Sequence, residues 1–413
     1  MAILPIDSGR YGTKEMLEIF GEQKKVDYQL QIEAAAALSQ SEINLIPKSI
    51  AKDIARVARS GKITAKRIKQ LEAKSDHDTA ALVESLAERC KKESRPWIHY
   101  GLTSNDLVDT SNSMQMRDAI KIIQPKVGKL ALLLSKNAVK YKVLPAVGRT
   151  HGQHASIISF GLKFANWASE MATHLERLDE IKKRILICKT LGVVGTGSLM
   201  GKDAVRVQEL VAKKLSLFPA KVTTQIIPRE RYAEYIFQLS LLGATLEKIS
   251  IEIRNLQRTE IGEVSEYFKK GQMGSSAVPV KRNPIKSERI SSLSKLLRSQ
   301  INTSFENIPL WHERDLSNSA NERFILPMAS ILLDEMIETM QNKFMPMIKS
   351  LGADRCFEVQ TSETTVTIVT VYPDEATKKA ATEKIAEIRA QGADTFNATL
   401  VKAEEGPIVA SMD

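Results

Sequence analysis

The residues best suited to chemistry lie in the stretch Gly271-Gln-Met-Gly-Ser-Ser-Ala-Val-Pro-Val-Lys-Arg-Asn-Pro284. Gly271 and Gly274 free the backbone, Ser275 and Ser276 supply small hydroxyls, and Pro279 and Pro284 interrupt helix on either side of Lys281 and Asn283. No histidine lies in the stretch, so a serine here could not work through a neighbouring His-Asp pair. It would need a cation and backbone N–H groups to lower its pKa, and Lys281 can supply the charge. The pattern predicts a mobile catalytic loop, although a Gly/Ser/Pro/Lys loop taken alone is more often a plain solvated connection.

Further polar islands punctuate the chain. Gly9-Arg-Tyr-Gly12 sets Arg10 and Tyr11 ahead of the first helical pattern, where they could grip a phosphate or form an ordinary turn. Ser75-Asp-His-Asp78 puts His77 between two carboxylates. Trp97-Ile-His-Tyr-Gly-Leu-Thr-Ser-Asn-Asp106 contains His99, Thr103 and Ser104 before a long helical pattern; free N–H groups and hydroxyls there suit a carboxylate ligand, and capping by Ser104 or Asn105 explains them equally well. Val147 to Ala155 concentrates Arg149, Thr150, His151, Gln153 and His154, with no third ligand placed to make a metal site. Thr223-Thr-Gln225 is a polar turn, and Leu310 to Arg323 gathers Arg314, Ser319 and Arg323, either surface ion-pair partners or an anion clamp.

The elements that must position these islands are helices. From about Ser156, Phe160, Phe164, Trp167, Met171, Leu175, Leu178, Ile181 and Ile185 recur in steps of three and four, and Leu239, Leu242, Leu246, Ile249, Ile253 and Leu256 do the same within a segment predicted to run from Arg231 to Phe268. Helices of roughly 45 to 55 Å are expected at 1.5 Å per residue, and they bury such stripes most easily against one another. Another helix is predicted from about Asp106 to Tyr141, one carries Glu288, and one runs from Ile325 to about Phe344. The glycines between Leu191 and Lys202 lack the Gly-Lys-Ser/Thr ending of a nucleotide loop.

The chain has 413 residues, ample apolar content for a core and a net charge of +10. That charge sits on the first 349 residues, since from Ser350 onward 6 Lys/Arg stand against 11 Asp/Glu. An anionic partner is expected. Basic residues alternate with acidic ones, no basic arm occurs and aromatics are 5%, so a small anionic ligand fits better than nucleic acid. No apolar run is long enough for a membrane span, and the start lacks the pattern of an export signal. Three widely spaced cysteines without metal-ligand spacing suggest a reducing, cytoplasmic compartment.

Taken together, His99-Tyr-Gly-Leu-Thr-Ser-Asn-Asp106, Gly148-Arg-Thr-His-Gly-Gln-His154, Gly274-Ser-Ser-Ala-Val-Pro-Val-Lys-Arg-Asn-Pro284 and Trp311-His-Glu-Arg-Asp315 resemble, in order and spacing, the motifs of the adenylosuccinate lyase branch of the fumarase/aspartase superfamily, over residues 9 to about 344. The resemblance implies a mainly α fold, a long-helix bundle in a homotetramer whose active sites each draw on three subunits, with no metal or organic cofactor. It implies elimination of fumarate from adenylosuccinate, giving AMP, and from the succinyl-carboxamide intermediate of purine synthesis. By the same resemblance Ser275 is the base, and Lys281 and Asn283 hold the succinyl carboxylate. His151 is the acid oriented by Glu288, and His77 assists, although spacing does not decide between His151 and His77 as proton donor. Arg10, Tyr11, Arg314, Ser319 and Arg323 would hold the phosphate and ribose side, Thr103 and Ser104 carboxylate, and Gln225 the base or amide region, with His99 and Thr150 also lining the substrate. Another elimination of the superfamily, of the argininosuccinate or carboxymuconate type, and a non-catalytic scaffold that keeps the fold are the alternatives.

Some positions depart from the family. Val278 stands where Met is usual, Val280 where His or Tyr is frequent, and Asp76 precedes His77 where some relatives carry Arg. The larger departure follows the bundle, where members continue into a third helical domain. Here Glu363 to Tyr372 reads as strand, Asp374 to Gln391 as helix stopped by Gly392, and Phe396 to Lys402 as strand. The expected division is an N-terminal helical domain (1–105), a central bundle (106–344) and a small α/β-like tail (345–413).

Overall fold

A computed structural model describes residues 4–266, 274–278, 281–344, 349–350, 355–360 and 366–371. The first helices are α1 (Lys14–Phe20), α2 (Glu22–Glu42), α3 (Lys48–Ala58), α4 (Ala65–Ser75) and α5 (Asp78–Ala87), of which all but the 21-residue α2 are short. Thr64 caps α4 by accepting the Arg67 N–H, and His77 caps α5 by accepting the Ala80 N–H on Nδ1 at 3.2 Å. The long helices follow: α6 (Ser104–Lys140), α7 (Phe160–Ile185), α9 (Glu230–Leu256), α10 (Ile285–Glu306) and α11 (Ser319–Glu338), with the shorter α8 (Ala204–Leu215) between α7 and α9. Helix α6 packs on α7, α7 on α9, α9 on α10 and α10 on α11, so the mainly α bundle expected from the apolar rhythm is present.

Helix α6 has 37 residues, about 55 Å at 1.5 Å per residue. Its later turns bury Ile120, Ile123, Val127, Leu130 and Leu134, an apolar seam in steps of three and four. Its first turns bury polar groups instead, among them Asp106, Asp109, Thr110 and Ser113. The N-cap is Thr103, not Ser104 or Asn105: the Asp106 carboxylate accepts the Thr103 N–H at 2.9 Å, completing a capping box.

Two helix boundaries differ from the expectation. Helix α7 begins at Phe160 rather than near Ser156, because β1 (Pro145–Thr150) and β2 (Gln153–Ser159) form an antiparallel hairpin with Thr150 opposite Gln153. Its two-residue turn has φ of 55° at His151 and 78° at Gly152, the twist that matches a right-handed hairpin. Helix α9 ends at Leu256, where its apolar rhythm also ends, instead of reaching Phe268. Gly262, at φ 60°, lets the chain turn back, with its N–H on the Arg258 carbonyl at 2.8 Å. At 26 and 27 residues, α7 and α9 are therefore about 40 Å long, shorter than expected.

One buried cation joins three long helices. The Arg229 guanidinium, just before α9, donates to both Asp109 oxygens of α6 at 2.9 Å and to the two Glu322 oxygens of α11 at 2.8 and 3.2 Å. Asp109 also accepts the Ile227 N–H, and Glu322 accepts Asn318 Nδ2. All donors and acceptors of this node are thus engaged, which is the condition for holding charges away from water. A second buried pair, Lys189 with Asp106, fixes the glycine-rich segment: Lys189 Nζ also donates to the Gly192 carbonyl, and Asp106 accepts the Gly192 N–H. Burial pushes the Asp106 carboxyl up to about 6 against the pull of Lys189.

Small pairings complete the description. Parallel β3 (Ile187–Cys188) and β4 (Phe218–Pro219) lie beside α8, and β5 (Val264–Ser265) pairs antiparallel with β6 (Lys349–Ser350). In the tail, β7 (Arg355–Gln360) and β8 (Val366–Val371) pair antiparallel. Strand β8 falls within the predicted Glu363–Tyr372 strand; β7 was not expected, since six residues of alternating pattern do not declare a strand until a partner pairs with them. The expected helix and strand from Asp374 to Lys402 lie outside the described residues.

Replacing Arg229 by Met should cost about 3–5 kcal/mol in urea unfolding, because two buried carboxylates lose their counter-ion; adding Asp109→Leu and Glu322→Leu should recover part of that loss. A second expectation concerns His174, buried on α7 with Nε2 2.8 Å from Thr245 Oγ1. Burial, then the Arg177 and Lys248 charges, lowers its pKa from an ordinary 6.5 to about 4. The unfolded chain therefore binds a proton that the fold refuses, so stability should fall as pH drops from about 6.5 to about 4. Thermal midpoints of His174→Gln should decline less steeply across that window than those of the parent chain.

Candidate active site

Ser275 lies in the described part of its loop, half-buried. Its Oγ accepts the N–H groups of Ala277 at 3.3 Å and Val278 at 3.1 Å, a local turn that aims two donors at the hydroxyl oxygen. Donors so placed favour the oxyanion form of the group. Asn283 Nδ2 donates to the Gly274 carbonyl at 2.9 Å, tying the residue before Ser275 to the far side of the loop. Lys281 is exposed, and Glu288 is exposed in the first turn of α10. Gly271 and Pro279 lie outside the described residues.

The loop's neck is strongly built. Glu266, only 2% exposed, directs its carboxylate at the start of α10: Oε1 accepts the Ser287 N–H and hydroxyl, each at 2.8 Å, and Oε2 the Lys286 N–H at 3.2 Å. Gln257, at the end of α9, accepts the Glu266 N–H at 2.9 Å and donates to the Arg282 carbonyl at 3.0 Å.

His151 stands exposed at the hairpin turn beside Thr150, also exposed. Arg149, on β1, pairs with Glu263 at 2.5 Å, so the hairpin is braced against the strand that leads into the Ser275 loop. Within this chain neither of the histidine ion pairs among the described residues involves His151, so the expected orientation of His151 by Glu288 is not made here.

A second group gathers at the opposite end of α6. Arg314 donates to Asn318 Oδ1 at 2.9 Å and so joins the Arg229 node; burial and then the Arg229 charge lower its pKa. Ser319 opens α11, and Arg323, one turn on, pairs with Asp78 at 3.4 Å, which brings it to the residue following His77. Thr103 and Ser104 are half-buried at the start of α6, and Gln225 lies two residues before Ile227, whose N–H binds Asp109. His99, at φ 61°, has Nδ1 2.6 Å from Glu33 Oε1 and its N–H on Oε2. Burial lowers the His99 pKa, but the Glu33 hydrogen bond and the Glu33 and Asp106 charges outweigh it and hold the pKa above its ordinary value. With Nδ1 committed to Glu33, His99 has only Nε2 to offer a ligand.

Arg10 and Tyr11 lie along α11. Gly9 shares a shallow cleft with Leu17, Phe20, Pro327 and Ile331, one turn beyond Arg323, while Gly12 and Thr13 hydrogen-bond Glu335 and Asp334. The Tyr11 ring has Arg10 and Arg289 each 6.0 Å from its centroid. Arg289, at the start of the second turn of α10, did not stand out in the sequence, because one arginine in a helix that already carries Lys286 and Glu288 looks like solvated surface. Glu33, Gln257 and Glu266 escaped for a related reason: each belongs to no motif and acquires meaning only through a distant partner.

The structure collects all the candidates but two in two places; Arg10 and Tyr11 lie apart, against the later turns of α11 with Arg289 of α10 6.0 Å from the Tyr11 ring. His77, His99, Thr103, Ser104, Gln225, Arg314, Ser319 and Arg323 cluster around the beginning of α6, whereas Thr150, His151, Ser275, Lys281, Asn283 and Glu288 lie toward its far end. The length of α6 sets the separation, about 50 Å between Ser104 and the hairpin.

Comparison with known proteins agrees with this architecture. A family described as Lyase matches residues 9–296. The chain is 43% identical to the adenylosuccinate lyase of Pyrococcus horikoshii, over 83% of this chain and 75% of that protein. It is 44% identical to that of Methanocaldococcus jannaschii, over 82% and 73%. Among solved structures, the 3-carboxy-cis,cis-muconate lactonizing enzyme of Pseudomonas putida superposes with a TM-score of 0.77 at 28% identity, over 84% of this chain and 78% of that one. A fumarate lyase from a Mesorhizobium species gives 0.75 at 25%, over 82% and 76%. With a helical bundle of the fumarase/aspartase type and identities above 40% across most of its length, the chain belongs to the adenylosuccinate lyase family of carbon–nitrogen lyases.

Proposed function

We propose that the protein removes fumarate from adenylosuccinate, giving AMP, and from succinyl-aminoimidazole-carboxamide ribotide, giving the free carboxamide. The observation that carries this reading is the 43–44% identity to adenylosuccinate lyases over more than four-fifths of the chain. A proton beside a carboxylate is weakly acidic, so the reaction needs a base on that carbon and cationic or N–H groups around the developing dianion. Ser275, with two N–H groups on its oxygen, is the proposed base, and Lys281 and Asn283 hold the succinyl carboxylate. As the proton leaves, the electron pair forms the carbon–carbon double bond, the carbon–nitrogen bond breaks, and the departing nitrogen takes a proton on the opposite face. His151 donates it, with Glu288 beside the ring and His77 assisting.

At the substrate's other end, Arg10, Tyr11, Arg314, Ser319 and Arg323 take the phosphate and ribose side. Thr103 and Ser104 bind carboxylate, Gln225 the base or amide, and His99 and Thr150 line the site. No single chain can close around one nucleotide with groups about 50 Å apart along α6. The reading therefore includes a homotetramer in which several copies furnish each site. Exposed apolar side chains on α6 and α7 and at the hairpin support it, among them Leu132, Val139, Val143, Ile157 and Leu162. A cytoplasmic location is part of the same reading, in keeping with the free, buried thiols of Cys90 and Cys188. No helix among the described residues is long and apolar enough to cross a membrane.

Ultraviolet-monitored fumarate release from adenylosuccinate tests the proposal directly. The chain should be active, and Ser275→Ala or His151→Gln should each lower kcat by about 10²–10⁴-fold, the usual worth of a positioned acid or base. Release from argininosuccinate instead, or undiminished activity in Ser275→Ala, would overturn it. Mixing the two inactive variants and letting subunits exchange should restore activity if the base and acid of one site come from different copies; a mixture that stays inactive would place both on one chain.

A further inference from the structure

We propose that Glu266 and Gln257 are positioning residues for Ser275, setting the geometry of its loop from the neck; this rests on the reading of Ser275 as the base. The need arises at α10. Its N-cap is Pro284, which has no side chain able to accept the free N–H groups of the first turn. A carboxylate from 18 residues earlier takes that role, with Glu266 accepting the Lys286 and Ser287 N–H groups and the Ser287 hydroxyl. An acidic group at this end also opposes the positive end of the helix dipole. Glu266 thus anchors the outgoing end of the loop to its incoming end.

Gln257 closes the same neck one layer further out. Its carbonyl receives the Glu266 N–H and its amide reaches the Arg282 carbonyl, so the end of α9, the start of the loop and its exit are held by one side chain. From Arg282 the tie passes to Asn283, whose amide holds the Gly274 carbonyl next to Ser275. A proton transfer tolerates little displacement, and a misplacement of about 1 Å can cost 10²-fold in rate.

The two variants to compare with the parent tetramer and with Ser275→Ala are Glu266→Gln, which turns an amide N–H toward the donors of α10, and Gln257→Met, which keeps bulk and loses both hydrogen bonds. Each should lower kcat by about tenfold or more, and in Glu266→Gln, whose contacts are all at the start of α10, KM should change by less than about threefold. Hydrogen exchange at the Lys286 and Ser287 amides should quicken in Glu266→Gln, while melting temperature and tetramer assembly hold. Glu266→Asp should recover part of the kcat. Parent-like kcat in both variants, or a loss matched by unfolding or dissociation, would overturn the inference. Should Ser275→Ala keep full activity, the reading of Ser275 itself would fall, whatever the neck variants do.

Discussion

The bundle depends on one guanidinium. Arg229 sits where α6, α9 and α11 converge and divides its five donors among the carboxylates of Asp109 and Glu322 and the Ile227 carbonyl. An ammonium could not do the same, because only a planar fork meets two carboxylates edge-on at once. The net stability of such a node is modest, since taking the three charges out of water offsets most of their attraction. In this register of the three helices every donor of the guanidinium is paired. Residues that belong to the candidate site, Arg314 through Asn318 and Gln225 through Ile227, hang from the same node.

The candidate residues lie at the ends of these helices. The interior of the bundle is sealed by apolar stripes, and the chemistry-bearing residues sit in the turns where stripes stop: before α6, in the hairpin that follows it, between α9 and α10, and ahead of α11. Both ends are braced. At one, Lys189 and Asp106 pin the glycine-rich segment to the first turn of α6. At the other, Arg149 and Glu263 link the His151 hairpin to the strand that feeds the Ser275 loop, and β6 pairs with that strand. At β6 the chain therefore returns to the molecule next to the loop's neck.

Much of this was legible in the sequence. Steps of three and four mark the long helices; the rhythm stops at Leu256, where α9 ends, although the predicted segment runs on to Phe268. The polar islands were legible because Gly, Ser, Asn and His interrupt those stripes. The hairpin was harder: Gln153 to Ser159 has no clean alternation, and its strand state comes from pairing with Pro145–Thr150 across a turn that His151 and Gly152 make together. Strand β7 was missed for the same reason, since a strand exists by virtue of its partner.

The helical class, the order of the motifs and the chemical types available to a site follow from local periodicity and side-chain chemistry, and so are set along the chain. Tertiary structure alone decided which of those residues meet. Glu33 finds His99 across 66 positions, Asp109 finds Arg229 across 120, and Asp78 finds Arg323 across 245. No local pattern encodes such pairs. They arise when long helices, packed by their apolar faces, bring distant charges together, and where those charges are buried, as at Arg229, each must find a counter-ion or a hydrogen bond.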